Sequence, residues 1–107
     1  MAAIGMVKGT IEKGFVGQLR TLSIRASIEI NPNRSKANDV QPDFRVHSDG
    51  VEIGAGWVRI GETSGKPYVS LALAAPEFGP RRLYANLGRA AGQNDDDTYA
   101  VIWKVDD

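Results

Sequence analysis

This sequence predicts an all-β fold: a small antiparallel barrel or sandwich of six to eight strands, with at most one short helix. Three observations lead there. Apolar residues recur at every second position through most of the chain, which is the period of a strand with one buried face. No stretch carries apolar residues at i, i+3, i+4 and i+7 over three turns, as an amphipathic helix would. The 107 residues are punctuated by 12 glycines and 5 prolines into short runs, with no linker, so residues 1–107 are expected to form a single domain.

Taken in order, the N-terminal segment carries Gly5, Gly9, Gly14 and Gly17, which are expected to close turns between short strands. "LSIRASIEI" (22–30) alternates Leu22, Ile24, Ala26, Ile28 and Ile30 against Ser23, Arg25, Ser27 and Glu29, and reads as a long half-buried strand. "NPNRSKANDVQP" (31–42) is a polar loop bounded by two prolines. Further strands are expected at "DFRVH", "VEIGAGWVRI", "PYVSLALA", "RRLYANL" and "TYAVIWKV". The stretch "LYANLGRAAG" (83–92) is the place for a short helix, although Gly88 interrupts it.

"GETSGKP" (61–67) resembles a phosphate-binding loop at first sight and fails on three counts. Three residues rather than four separate Gly61 and Gly65, Pro67 stands where a hydroxyl ligand belongs, and an alternating strand follows instead of a helix. Such a loop works by aiming backbone amides and a helix N-terminus at phosphate. The stretch therefore reads as a β-hairpin loop, and no nucleotide is expected to bind. Six loop residues, 61–66, place Ile60 opposite Pro67, Trp57 opposite Ser70, Arg59 opposite Tyr68, Val58 opposite Val69, Gly56 opposite Leu71 and Gly54 opposite Leu73. Val58, Ile60, Val69, Leu71 and Leu73 form the expected core face. Trp57, Arg59 and Tyr68 share the other face with Val51, Ile53 and Ala55, so that face is expected to be only partly exposed.

Composition narrows the chemistry. There is no cysteine, hence no disulfide, no thiolate metal site and no catalytic thiol. His47 is the only histidine, and it is expected to point outward at a strand end without a ligand cluster around it. "DDD" at 95–97 lacks the spacing that wraps calcium, and no serine has a recognisable base partner. The expectation is a protein with no catalytic residues, no metal and no cofactor, and so no enzymatic activity. Neither a secretory signal nor an apolar run of membrane-spanning length is visible, so a cytoplasmic protein without membrane contact is expected. Thirteen basic and thirteen acidic residues cancel, but residues 95–107 hold five acids and one base, leaving twelve bases and eight acids in the first 94 residues.

Aromatic and basic residues alternate outward on the expected strands. Arg45 lies beside Phe44; Arg82 and Tyr84 share a face, with Leu83, Ala85 and Leu87 inward. Together with Trp57, Arg59, Lys66 and Tyr68, they form a set able to stack unpaired bases and follow a phosphate backbone. The opposing reading is that these rings pack a sheet. Trp103 shares a face with Val101 and Val105 and is expected in the core.

The run "PDFRV", "GVEIGAGW", "GKPYVSL", "YANL" and a closing "IW" resembles the bacterial domain-of-unknown-function family 736 over nearly the whole chain. The chain departs from that pattern at Gly56, where alanine is common, and at Ala74-Ala75, which replace an acidic pair; the lost carboxylates weaken any acid or metal chemistry there. The resemblance implies a small, soluble, mostly β protein encoded on plasmids and integrative elements of proteobacteria, and no established activity. Two functions are expected from these readings. One is a non-enzymatic accessory of a mobile element that binds single-stranded DNA or RNA weakly through Arg45, Trp57, Arg59, Lys66, Tyr68, Arg82 and Tyr84. The other is a protein-interaction or self-assembling module that uses a strand edge or the Trp57 face.

Overall fold

A computed structural model describes residues 3–89 and 97–104. Eight strands follow one another: β1 (Ala3–Thr10), β2 (Gly14–Arg20), β3 (Arg25–Pro32), β4 (Phe44–Ser48), β5 (Val51–Ile60), β6 (Pro67–Leu73), β7 (Leu83–Arg89) and β8 (Thr98–Lys104). Each pairs antiparallel with the next, and β1 pairs with β8 to close the barrel. Of the two architectures the alternation allowed, the barrel is the one formed. The helical content among the described residues is one 3-10 turn, Pro76–Phe78.

The alternation fills the barrel. Val7, Phe15, Leu19, Ile28, Ile30, Phe44, Val46, Val69, Leu71, Leu73, Ala85, Leu87 and Val101 are all buried. Phe15 centres the aromatic packing, with Phe44 at 6.1 Å between ring centroids and Tyr99 edge-on at 5.5 Å. The β5–β6 register is the expected one, from Ile60↔Pro67 down to Gly54↔Leu73. Residues 83–89 are strand β7 rather than helix, with Ala85 and Leu87 buried; residues 90–92 lie outside the described ones.

Of the N-terminal glycines only Gly14 closes a turn: with φ 91° it directly follows residues 11–13, which link β1 to β2. Gly5 and Gly9 lie within β1, and Gly14 and Gly17 within β2. Gly5, Gly9 and Gly17 sit opposite the large inward residues Leu19, Phe15 and Val7. A Cβ on Gly17 would collide with the Met6 carbonyl and the Val7 backbone, so the two strands approach closely because the side chain is missing. The β4–β5 turn also needs unusual backbone, with Asp49 at φ 50° and Gly50 at φ 82°. Positive φ at both central residues is the two-residue hairpin geometry that matches strand twist.

Three hydrophobic assignments end differently at the barrel's margins. β3 starts at Arg25, so Leu22 falls in the preceding loop and is fully exposed. Ile60 is 64% exposed because β5 runs past the body of the barrel. Trp103 has the inward parity of its buried partner Ala85, yet it is 42% exposed at the end of β8. Among the described residues, closure leaves no strand of the barrel with a full-length unpaired edge.

Candidate functional site

The loop between β3 and β4 is stitched to β5. The Asn33 amide donates to the Asp43 carbonyl at 2.8 Å, and the Asp43 amide donates to the Gly56 carbonyl at 2.9 Å. The Asp43 carboxylate then takes the Val58 amide at 2.8 Å with one oxygen and the Lys36 ammonium with the other. Burial pushes the Asp43 carboxyl up, but the hydrogen bonds from Lys36 and Val58 and the positive charges of Lys36 and Arg59 outweigh it. The group therefore titrates below its ordinary value and stays ionised. This anchoring lays the loop against Trp57, whose indole Nε1 donates to the Val40 carbonyl at 3.4 Å. On the same tryptophan rests the Arg59 guanidinium, 5.8 Å from the ring centroid, within cation–π range.

Register aligns the outward residues into rows across the barrel. One row runs Asn31, Arg45, Ala55, Ala72, Tyr84, Lys104 over β3 to β8. The next runs Trp57, Ser70, Asn86, and above it stands the pair Arg59↔Tyr68. The middle of these rows is made of small side chains. The result is a groove of about 340 Å³ with Ala55 and Ala72 as floor, bounded by Pro42, Arg45, Trp57 and Arg82. That volume is near the lower end of ligand sites, about 300–1,000 Å³.

Of the seven residues expected at the site, Arg45, Trp57 and Arg82 line this groove. Tyr84 continues its floor row, and Arg59 lies over Trp57. Lys66 and Tyr68 belong to a second concavity, at the end of the barrel beside Leu87 and Tyr99. The two groups remain connected through Arg59, opposite Tyr68. Arg45 is not a free cation: its Nη1 contacts Glu52 at 3.2 Å, and its Nε donates to Asn33 Oδ1 at 3.4 Å. His47 points outward as expected, in a polar chain with Asn31 on Nδ1 at 3.2 Å and Glu52 at 3.8 Å from Nε2. Asp97 is the one member of the 95–97 run among the described residues.

The loop 61–66 spends its amides on itself. The Gly61 amide donates to the Lys66 carbonyl and the Gly65 amide to the Gly61 carbonyl, both at 2.9 Å, while the Lys66 amide donates to Ser64 Oγ at 3.2 Å. It is a hairpin loop, as its spacing implied. The residues that sequence reasoning passed over are the small ones, Ala55 and Ala72, together with Asp43, Glu52 and Pro42. Outward alanines at directly facing positions were the available signal, since the hairpin register had already aligned them.

Among the described residues no helix is long and apolar enough to cross a membrane. No curated protein and no solved structure matches the chain. A family model described as a protein of unknown function, DUF736, matches residues 3–106, and the chain belongs to that family.

Proposed function

We propose that this protein is a non-enzymatic, cytoplasmic accessory of a mobile genetic element that binds single-stranded nucleic acid weakly along the outer face of β5, β6 and β7. The observation that carries the reading is the row of small residues, Ala55 and Ala72, set between Trp57 with its arginine and Tyr84. A flat floor with aromatic and cationic walls suits an unpaired base with its phosphates at the rim. Arg59, Lys66 and Arg82 supply cations that make no ion pair among the described side chains. Trp57, Arg59, Tyr68 and Lys66 then continue the surface up the hairpin. From Ala55 to Arg59 the strand covers roughly 13 Å, enough for a short run of nucleotides rather than a single one.

The modest charge sets the expected strength. With Arg45 neutralised by Glu52, few phosphates are contacted, so binding is micromolar or weaker and the salt slope is shallow. The test is a fluorescence-anisotropy titration with labelled oligo-dT across a salt series. Saturable binding that weakens as salt rises is expected. No binding at low salt by folded protein overturns the proposal.

A further inference from the structure

Closure of the barrel is local rather than complete along β3. That strand has eight residues, but β4 has five and turns away at Asp49–Gly50. Pairing between them therefore runs only from Glu29↔His47 to Pro32↔Phe44. Arg25–Ile28 pairs with β2 alone. Antiparallel geometry identifies the groups this leaves open, because the N–H and C=O of one residue face the same neighbour and successive residues alternate. The Asn33 amide bonds to Asp43 on the β4 side, so the odd-numbered residues of β3 aim that way. The backbone groups of Arg25 and Ser27 thus point to a place where β4 has already ended, and no backbone bond from the described residues reaches them.

A groove of about 580 Å³ lies against this stretch, between Ile24–Ala26 and the segment Ala74–Phe78. Ile24, Ile53 and Phe78 line it and pack against the core, and Val51 at its margin is 63% exposed. Its charged lining is Arg25 on β3, Asp49 in the β4–β5 turn and Glu52, which is paired with Arg45. At one end Arg25 stands directly opposite Arg20 on β2, a like-charge pair that opposes pairing, and neither makes an ion pair among the described side chains. Asp49, at the other end, takes the Ser27 hydroxyl at 3.1 Å.

We propose that an extended segment of a partner protein adds as a strand to the Arg25–Ser27 edge of β3. The segment alternates apolar residues, which enter the groove over Ile24, Ile53 and Phe78, with outward residues that include an acid beside Arg25. Strand addition supplies affinity through main-chain bonds, and alternate side chains supply selectivity. The acid relieves the Arg20–Arg25 repulsion, and Asp49 repels a second acid at the far end, which sets the register. This surface adjoins the Trp57 groove, with which it shares Glu52, Ile53 and Ala74, but the proposal does not depend on nucleic-acid binding.

The test uses the whole protein and amide hydrogen exchange read by NMR. In the free protein the Arg25 and Ser27 amides should exchange at least a hundredfold faster than those of Ala26 and Ile28, which face β2. A capped synthetic octapeptide alternating valine and glutamate should slow both amides at least tenfold. Arg25→Glu should keep its melting temperature, lose the valine–glutamate peptide and accept one alternating valine with lysine. Slow Arg25 and Ser27 amides in the free protein would show a closed edge and overturn the proposal. So would a peptide that leaves both amides unchanged, or a charge swap that leaves peptide preference as it was.

Discussion

The two faces of the β5–β6 hairpin use small residues for opposite ends. Inside the barrel, Gly54 and Gly56 sit opposite Leu73 and Leu71, and the leucine side chains occupy the space the glycines leave. Outside, Ala55 sits opposite Ala72, and the space above them is a groove. Interiors are packed to near-crystalline density, so an inward small residue is answered by a large neighbour. An outward small residue is answered only if a loop or ligand covers it. The difference teaches where to look for a site in a barrel whose interior is full: at facing small residues on the outer surface, walled by rings and charges.

The largest effect should come from breaking the inner face. In Gly54→Val, the new side chain meets the Ala72 carbonyl and the Leu73 side chain and backbone. Overpacking typically costs about 1–3 kcal/mol and sometimes more; with backbone in the way, about 3 kcal/mol or greater is expected. Urea unfolding should show the midpoint falling with little change in slope. A cost below about 1 kcal/mol would mean that the inner face has slack and that its smallness is not a packing demand.

Next in size is Asp43, which holds the loop that walls the outer groove. Asp43→Ala strips the Val58 amide and Lys36 of their acceptor, a charged hydrogen-bond loss of about 1.5–3 kcal/mol. The wild-type carboxyl has its folded value lowered, so its stabilisation is full above the ordinary carboxylate value. It is lost as pH falls through the lower folded value. In a Trp103→Phe background, Trp57 emission should therefore shift in that acidic window as the Val40 contact loosens. In the Asp43→Ala protein the same emission should stay flat across the window. Identical pH profiles would remove Asp43 from control of the loop.

How much of this was legible depended on whether a feature is periodic. The hairpin register followed from a loop of six residues and strict alternation, and it aligned Trp57, Arg59 and Tyr68 correctly. Gly5 and Gly17 were misread because glycine marks both turns and close strand approach, and only the cross-strand partner tells which. Leu22 and Trp103 lie where alternation continues in the sequence after the covering strands have ended. The Asp43–Val58 bond joins residues 15 apart with no repeat to announce it. The same holds for the neutralisation of Arg45 by Glu52, which requires the β4–β5 irregularity at Val46/His47 to be known.

Substitutions on the aromatic walls should act on binding and leave folding nearly untouched. Base stacking is worth about 1–3 kcal/mol per base by alanine substitution, so Tyr68→Ala should weaken oligo-dT roughly five- to a hundredfold. Lys66→Ala should reduce the salt slope by about one contact. Melting temperature measured beside each titration separates the two effects, since Tyr68 is only partly buried. Strong binding untouched by Tyr68→Ala would confine the site to the groove below Arg59.

The smallest stability change is expected at the position that most sharply separates the two faces. Ala72 is one residue from Leu73 and points outward, between Ala55 and Tyr84. Ala72→Leu adds to the outer face a bulk comparable to the one that Gly54→Val adds inside, but here it grows from the lining of the open groove. Surface substitutions of this kind stay within about 0.5 kcal/mol, so the melting temperature should hardly move. The leucine fills the floor between Trp57 and Arg82, so oligo-dT should weaken by roughly the stacking contribution of one base, about 1–3 kcal/mol. A loss of stability above about 2 kcal/mol would show that the outer floor is packed, and the contrast between the faces would collapse. Unchanged stability with unchanged binding would keep the contrast and move nucleic acid off the floor, up the hairpin towards Tyr68 and Lys66.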